Sequence, residues 1–321
     1  MLAMPSESRS VATVARWRAT FVDAGPALAD LFDSLHRADD PPLQVNRQPD
    51  VKPDELPAVL DGAAIAIIDH THLPTAVAAR CQGLKHVVFL GTGARSYMDP
   101  EALAALGIAV HTIKGYGDTA VAECAFALMW AAARGLARMD RELRAGRWLR
   151  SDGMQLRGKT LGLIGFGGIA QELARLALGA GLRVVAWNRT PRDHEGVEFV
   201  AIETLLAASH VVSLHLLLTD ETRGFLSRER IAAMRDGAIV VNTARGALLD
   251  EAALVDALAS GKLAHAGLDV FTIEPLPAQH PFTTLPNVTL SAHSAFRTPE
   301  ASVNLVQAAL AHCRRIASGS D

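Results

Sequence analysis

Three loops of the sequence carry residue types that suit proton transfer on an organic anion. Arg245 stands just after the apolar run AIVVNTA, Glu274 lies beyond AHAGLDV, and His293 ends NVTLSA. A guanidinium can hold a carboxylate by two parallel hydrogen bonds, and a histidine can give and take a proton near neutral pH. Each residue alone has an ordinary structural explanation. Together at strand ends they predict an anion binder, a carboxylate partner and an acid–base group.

A glycine turn precedes these loops and predicts a dinucleotide site. GFGGIA places Gly165, Gly167 and Ala170 at the GxGxx(G/A) spacing, between the apolar run TLGLI and a helix-like run. The first glycine permits a tight turn, the second lets a diphosphate approach the backbone, and the small third residue lets helix and strand pack closely. We therefore expect Gly165, Gly167, Gly168 and Ile169 to hold the phosphates of the cofactor.

The end of the next strand bears on the choice between NAD(H) and NADP(H). NAD sites place an acid roughly 20 residues after the glycines, whereas NADP sites offer room and a cation for the 2′-phosphate. Here the strand RVVAW is followed by Asn188, Arg189 and Thr190. We predict NADP(H) as the favoured cofactor, bound at these three residues. NAD(H) stays possible if the register shifts to Asp193 or Glu195.

The elements that must position these residues alternate between strand-like and helix-like runs. The first alternation contains the strand candidates RATFVD, AAIAIID, LKHVVFLG and IAVHTI. The second contains TLGLIG, RVVAWN, HVVSLHL, AIVVNTA, AHAGLDV and NVTLSA, with helices expected to begin near Gly168, Ile202, Ser227 and Asp250. This pattern predicts an α/β fold with two Rossmann-like, doubly wound parallel-sheet domains. One long Ala-rich helix, from Thr119 to Arg144, is expected between the two alternations.

Composition excludes several classes of partner. The chain has 321 residues, of which 50% are hydrophobic and 20% charged, and a net charge of −3, so no basic field predicts binding to nucleic acid or an anionic membrane. Cys81, Cys124 and Cys313 are too widely spaced for a zinc site or a disulfide framework. The start MLAMPSESRS lacks the apolar core of a signal peptide, and Arg134 interrupts the most apolar helical run. We expect a cytoplasmic protein without a metal.

The ordered motifs resemble those of the D-isomer-specific 2-hydroxyacid dehydrogenase family. The resemblance covers most of the chain from about residue 60 and rests on HVVFLGTG, GYGDTAVAE, GKTLGLIGFGGIA, VVSLHLLLTDETRGFL, MRDGAIVVNTARGALLDEAAL, LAHAGLDVFTIEPLP and LPNVTLSAHSAFRTPEA. It implies that His293 is the catalytic acid–base, that Glu274 assists it, and that Arg245 binds the substrate carboxylate. The implied reaction is hydride transfer between NADP(H) or NAD(H) and a small 2-keto or 2-hydroxy acid such as glyoxylate or hydroxypyruvate.

The same resemblance implies further contacts with cofactor and substrate. Cofactor contacts are implied at His215, Leu216, Thr243, Ala244 and Asp269. Asp269 would hold the nicotinamide carboxamide, unless it is only an acid of the turn at a strand end. Substrate contacts are implied at Gly91, Thr92 and Gly93, whose backbone amides would receive the carboxylate beside Arg245.

Two departures from the family pattern concern the substrate. GTGARSYMD is one residue longer than the usual continuation resembling GVDNID, lacks its early Asp, and contains Arg95. Arg95 either reaches a second anionic group of the substrate or faces solvent, as exposed arginines usually do. HSAFRT replaces the more usual HIAGAT and places Phe296 and Arg297 near the mouth of the site. The identity of the substrate is therefore left open.

The resemblance also implies the domain order. Residues 1–116 and 294–321 would form the substrate domain, and residues 117–293 would form an inserted NAD(P)-binding domain. The Thr119–Arg144 helix resembles the dimerisation element of the family, so a homodimer is expected. Two alternatives remain: an NAD-linked dehydrogenase of another D-2-hydroxy acid, and a nucleotide-sensing, corepressor-like binding protein on the same fold. The intact catalytic trio favours the enzyme, because function is argued from the site.

Overall fold

The computed structural model describes residues 17–190 and 192–319. The N-terminal run MLAMPSESRS lies outside these residues. The described residues divide into two compact units, one of residues 17–117 and 298–319, and one of residues 118–190 and 192–297. The sequence predicts the second domain boundary near residue 293, whereas the second unit of the structure continues to residue 297. Residue 293 lies in a turn that is held by hydrogen bonds to Asp269, a residue of the second unit.

The first unit is built on a five-stranded parallel sheet in the order β2-β1-β3-β4-β5. Its strands are β1 (Ala19–Phe21), β2 (Leu43–Val45), β3 (Ile65–Ile68), β4 (His86–Phe89) and β5 (Ala109–Thr112). Its described helices are α1 (Pro26–Leu35), α2 (Leu56–Val59), α3 (Thr75–Ala78), α4 (Pro100–Ala105) and α11 (Pro299–Ser318). Successive side chains of β3 join different apolar clusters, so both faces of the sheet are covered.

The second unit is built on a seven-stranded parallel sheet in the order β12-β11-β10-β9-β6-β7-β8. Its strands are β6 (Thr160–Ile164), β7 (Arg183–Trp187), β8 (Val197–Phe199), β9 (Val211–Leu214), β10 (Ala238–Asn242), β11 (Leu263–Leu268) and β12 (Val288–Leu290). Its described helices are α5 (Asp118–Arg134), α6 (Leu136–Arg144), α7 (Gly168–Gly179), α8 (Ile202–Ala208), α9 (Arg228–Ala233) and α10 (Glu251–Ala259). The strand order reverses between β6 and β9, and ligands of open α/β sheets bind beside such a reversal at the carboxyl ends of the strands.

The predicted α/β fold is confirmed, and the predicted starts of four helices agree with the structure. α7 begins at Gly168 and α8 at Ile202. The Ser227 hydroxyl caps α9 and the Asp250 carboxylate caps α10, each accepting a hydrogen bond from a backbone N–H in the first turn. Polar side chains before an apolar helical run are therefore used here as N-caps, which satisfies N–H groups that the helix itself leaves unpaired.

The prediction of one helix from Thr119 to Arg144 is wrong. The chain forms α5 and α6, which are bent by 66° at the break between them. Gly135 lies in this break with a φ of 62°, a left-handed conformation that glycine adopts without steric cost. The second sheet also has seven strands and not six, because β8, which has only three residues, gave no recognisable pattern.

α5 and α6 are the described helices that come nearest to the length and composition of a membrane-spanning helix. No single described helix is long and apolar enough to cross a membrane, and α5 and α6 reach that length and composition only when counted together across their bend. Most of the apolar side chains of α5 are buried inside the second unit, among them Ala125, Leu128 and Met129.

Candidate active site

His293 and Glu274 form a direct pair in the second unit. The Nδ1 atom of His293 lies 2.6 Å from Oε2 of Glu274. The other carboxylate oxygen, Oε1, accepts a hydrogen bond of 2.9 Å from the backbone N–H of Phe271. The side chains of His293 and Glu274 remain 38% and 34% exposed. The N–H of Phe271 thus orients the Glu274 carboxylate, and the carboxylate orients the His293 ring through Nδ1. No described residue forms a hydrogen bond with the other ring nitrogen, Nε2.

Asp269 holds the turn that presents His293. Its fully buried carboxylate accepts hydrogen bonds from the Ser291 hydroxyl and from the backbone N–H groups of Ser294 and Ala295, the latter two at 3.0 Å. Its carbonyl accepts a bond of 2.7 Å from the N–H of His293. His293 has a φ of 49°, which is uncommon for a residue other than glycine and is maintained only where its surroundings determine it. Asp269 is therefore an acid of the turn, and its contact with a carboxamide stays a prediction.

Arg245 follows β10 on a loop that Asn242 braces. The Asn242 side chain is fully buried; its Oδ1 accepts a bond of 3.0 Å from the N–H of Ala244, and its Nδ2 donates a bond of 2.9 Å to the carbonyl of Arg245. The guanidinium donates one hydrogen bond, from Nη1 to the Ala244 carbonyl at 2.6 Å. A guanidinium has five N–H donors, so this contact leaves donors for a carboxylate.

Gly246 connects the Arg245 loop to the Glu274 loop. A Cβ atom at Gly246 would lie 2.0 Å from the carbonyl carbon of Phe271, so the two backbones are in direct contact and only glycine fits. Phe271 is also the residue whose N–H holds Glu274. Asn242 and Gly246 are not among the site residues predicted from the sequence. Two features of the sequence could have indicated them: Asn242 is an amide at the end of a strand, and Gly246 directly follows the candidate arginine.

The glycine turn has the form that a diphosphate requires. Gly165 has a φ of 91°, and a Cβ there would lie 2.6 Å from the carbonyl oxygen of His215. Gly167 precedes α7, and a Cβ there would meet nothing within 4 Å. No side chain caps α7, so the N–H groups of its first turn, Gly168 and Ile169 among them, can donate to an anion. The open backbone and the uncapped helix fit a dinucleotide.

Two further residues of the predicted cofactor contacts have unusual surroundings. The buried hydroxyl of Thr243 has no hydrogen-bond partner among the described residues, as expected for a group that pairs with a ligand. Nε2 of His215 lies 2.8 Å from the Ser213 hydroxyl, and burial lowers the pKa of His215 to about 4. His215 is therefore neutral at physiological pH and cannot serve as the acid in this site. Leu216 and Ala244, the other two predicted contacts near these residues, are partly buried against an apolar cluster of the second unit.

The residues predicted to hold a 2′-phosphate differ in what they offer. The side chain of Asn188 is already used: Oδ1 accepts a hydrogen bond of 3.3 Å from the N–H of Phe166, and Nδ2 donates one of 2.7 Å to the carbonyl of Thr190. It thus ties the end of β7 to the glycine turn. Arg189 and Thr190 are exposed. A cavity of about 340 Å³ adjoins Arg189 and is lined by Trp187, Asn188, Arg189, Phe199, Val200 and Ala201.

The predicted substrate loop lies in the first unit, directly after β4. The carbonyl of Gly91 accepts a hydrogen bond of 3.0 Å from the N–H of Ile113, which fixes the start of the loop. Thr92 is exposed, and Gly93 precedes a short 3₁₀ turn. Arg95 forms a solvent-exposed ion pair with Glu101, with Nη1 at 2.8 Å from Oε2. Its guanidinium is therefore engaged with a surface carboxylate.

Phe296 is an apolar neighbour of the pair formed by His293 and Glu274. Its ring meets the His293 ring edge to face, with centroids 6.2 Å apart. Arg297, the next residue, is exposed. Phe296 is one of three residues, with Ser294 and Arg297, at which HSAFRT differs from HIAGAT, and it is the one whose ring contacts His293.

Comparison with known families agrees with this arrangement. The sequence profile described as D-isomer specific 2-hydroxyacid dehydrogenase, NAD binding domain, matches residues 126–295. The chain belongs to this family. It is therefore a dehydrogenase that uses a nicotinamide cofactor and acts on the CH–OH group of its donors, which confirms the predicted reaction class.

Individual relatives carry more specific names. The chain is 39% identical to hydroxypyruvate reductase of Thermotoga maritima over 254 residues, which is 77% of this chain and 83% of the relative. It is 39% identical to glyoxylate reductase of Aeropyrum pernix over 235 residues, 69% of this chain and 70% of the relative. A solved acyclic imino acid reductase in complex with NADPH and D-Arg is 28% identical, covers 90% of this chain and 94% of its own, and has a TM-score of 0.78.

Proposed function

We propose that the enzyme is an NADP(H)-preferring reductase of small 2-keto acids of the glyoxylate and hydroxypyruvate type. The observation that carries this proposal is the 2.6 Å contact between His293 and a Glu274 carboxylate that is itself fixed by the N–H of Phe271. An acid–base group oriented in this way suits proton transfer to a carbonyl oxygen. Similarity to reductases named for hydroxypyruvate and glyoxylate supports the substrate class.

The proposed mechanism assigns one task to each of the three residues. Arg245 binds the substrate carboxylate through the guanidinium donors that Ala244 leaves free, and so orients the neighbouring carbonyl. The nicotinamide, when bound, supplies the hydride to the keto carbon. His293, as imidazolium, donates the proton on Nε2 to the keto oxygen as negative charge develops there, and takes it back in the oxidative direction. Glu274 stabilises the imidazolium and keeps Nδ1 protonated.

The preference for NADP(H) is proposed from Arg189 and Thr190. Both are exposed at the end of β7, where the ribose of a dinucleotide lies in this fold, and neither presents a carboxylate to a 2′-hydroxyl. A guanidinium and a hydroxyl are suitable donors to a 2′-phosphate. The NADPH bound to the similar imino acid reductase supports this choice. Both ends of the Asn188 amide already bond to the backbone, so we assign Asn188 a supporting role in the loop after β7 and not a contact with the 2′-phosphate.

The catalytic assignment is tested by separating turnover from binding. We expect His293→Ala to lower kcat for hydroxypyruvate by about 10³-fold or more, because a general acid contributes roughly 10²–10⁴-fold, while the Kd for NADPH changes less than about threefold. Glu274→Gln should lower kcat less, since the histidine itself remains. A His293→Ala enzyme with wild-type kcat would disprove the role.

The cofactor assignment is tested with a matched pair of arginines on one strand. Arg189 follows the carboxyl end of β7, and Arg183 begins the same strand at its amino end, where it faces Glu198 at 3.8 Å. Arg189→Gln should raise KM for NADPH about tenfold or more and leave KM for NADH nearly unchanged. Arg183→Gln removes the same charge and should change neither. A lower KM for NADH than for NADPH in the wild-type enzyme would contradict the proposal.

The two units and their assembly are also part of the proposal. We assign substrate-carboxylate binding to Gly91, Thr92 and Gly93 of the first unit and cofactor binding to the second. A homodimer is supported by apolar residues exposed on and after α6: Leu136 and Leu143 are 52% and 50% exposed, and Trp148 is 79% exposed. Buried apolar area stabilises association, so Leu143→Asp should shift the species seen by light scattering from dimer to monomer.

A cytoplasmic location is proposed as well. Cys81, Cys124 and Cys313 are free thiols, and free thiols persist in reducing compartments. Cell fractionation followed by immunodetection of the chain tests this location, and recovery in an oxidising compartment would refute it.

A further inference from the structure

Asp118 lies against the helix that is expected to receive the diphosphate of the cofactor. It is the first residue of α5, and α5 packs along α7 within the second unit. A Cβ atom placed on Gly168, the first residue of α7, would lie 1.8 Å from Oδ2 of Asp118. The carboxylate therefore touches the Cα of Gly168, and any side chain at residue 168 would displace it.

The carboxylate of Asp118 has few interactions of its own. Within residues 17–190 and 192–319 it forms no hydrogen bond and no ion pair, and partial burial raises its pKa above the ordinary value. Its favourable neighbours are the N-termini of α5 and α7, where the helix dipole and unpaired N–H groups attract negative charge. No side chain caps α7 by a hydrogen bond. Asp118 thus places an anion at the end of α7, beside the first-turn N–H groups that a diphosphate would use.

We propose that Asp118 lowers the affinity of the enzyme for its dinucleotide, because its carboxylate stands beside the diphosphate position at the N-terminus of α7 and repels it. This inference rests on a nicotinamide dinucleotide in the glycine turn and holds equally for NADPH and NADH. It does not depend on the preference for NADP(H) proposed above.

The repulsion has a clear kinetic consequence. Two like charges within a few ångströms in a partly buried site repel more strongly than in water, because the effective dielectric constant is lower. Most differences in affinity within one binding site arise in the dissociation rate. Asp118 should therefore speed release of the dinucleotide, and a release step rather than chemistry limits turnover in many enzymes.

The test compares two carboxylates on the same helix. Asp118→Asn removes the charge at the end of α7, and Asp118→Ala removes it without introducing an amide donor. Glu123→Gln is the matched control, because Glu123 is an exposed residue of α5 whose charge acts on Arg175, a residue further along α7. For each variant, Kd is measured for NADPH and NADH by fluorescence titration, dissociation rates by stopped-flow displacement, and folding by thermal denaturation. Adenosine 2′-monophosphate, which has no diphosphate, serves as the reference ligand.

We expect both Asp118 variants to bind NADPH and NADH about tenfold more tightly, a change of about 1.4 kcal/mol, mainly through slower dissociation. Glu123→Gln should change these affinities by less than about twofold, and adenosine 2′-monophosphate should bind all variants alike. Unchanged or weaker binding of both dinucleotides by folded Asp118→Asn and Asp118→Ala would overturn the inference. Failure of the proposed cofactor preference would appear separately, as tighter binding of NADH than of NADPH by every variant.

Discussion

Replacing Asp269 with asparagine tests how the turn around His293 is held. The amide keeps the shape of the side chain but exchanges one acceptor oxygen for an NH₂ group. Either the N–H of Ala295, or the N–H of Ser294 together with the Ser291 hydroxyl, would then face a donor. Hydrogen bonds to charged groups contribute about 1.5–3 kcal/mol, and an unsatisfied buried donor costs about 1–3 kcal/mol. We expect Asp269→Asn to lower the free energy of unfolding by about 2–4 kcal/mol.

The loss of stability and the loss of activity should appear together. In a domain of this size 1 kcal/mol corresponds to roughly 2–4 °C, so Tm should fall by about 5–15 °C. Without its hydrogen bonds the turn would leave the positive φ of His293, and a displacement of about 1 Å can lower kcat about 10²-fold. Calorimetry and the steady-state reduction of hydroxypyruvate by NADPH measure both effects.

Two further variants calibrate the Asp269 experiment. Ser291→Ala keeps the carboxylate and removes one of its bonds, so Tm and kcat should change by a smaller amount in the same direction. Asp236→Asn affects an exposed carboxylate paired with Lys262 and should change neither quantity appreciably. If Asp269→Asn kept Tm within about 2 °C and kcat within about threefold of the wild type, the turn would not depend on this carboxylate, and our reasoning would be refuted.

Three other substitutions have definite expected outcomes. A hydrogen bond to Asp69 raises the pKa of His70 to about 9 from 6.5, so its stabilising effect is complete below about pH 6.5 and is lost as pH rises through 9; urea midpoints at pH 6 and pH 10 should differ less for His70→Gln than for the wild type. Gly246→Ala places a Cβ 2.0 Å from the Phe271 carbonyl carbon and should cost about 3 kcal/mol or more while lowering kcat; a wild-type Tm would contradict this. Arg95→Ala should change stability by less than about 1 kcal/mol and leave KM for glyoxylate unchanged, since its ion pair is exposed; a marked rise in KM would show that Arg95 binds substrate.

Much of the second unit could be predicted because its sequence signals are local and agree with one another. β6 and β10 are continuous apolar runs and are fully buried, as strands covered on both faces must be. The glycine spacing, the N-caps Ser227 and Asp250 and the charged residues after β10 and β11 each follow from a few neighbouring residues. These local preferences are also found in the folded structure because the tertiary contacts favour the same conformations.

Features that depend on distant contacts could not be predicted. Asn188 stood where a 2′-phosphate was expected, yet its amide bonds to Phe166, more than 20 residues earlier in the chain. Gly246 is constrained by the backbone of Phe271, which no pattern around residue 246 reveals. The break at Gly135 was missed because a single glycine within a helical pattern is often tolerated, and only a left-handed φ ends the helix.

The residues proposed for catalysis and those proposed for cofactor choice are held by different interactions. This difference determines whether a substitution changes the stability of the protein as well as its activity. Glu274 is fixed by a backbone N–H, and the His293 turn is fixed by a buried carboxylate, so substitutions there disturb folding and catalysis together. Arg189 lies on an exposed loop that is supported from behind by the Asn188 amide, and its own side chain is free to be exchanged. Replacing Arg189 with an acidic residue should therefore shift the preference toward NADH without loss of stability, because surface substitutions away from buried networks change stability by less than about 0.5 kcal/mol. Replacing Asn188 instead should weaken the binding of NADPH and NADH alike, since its amide supports the glycine turn at which we propose that either dinucleotide binds.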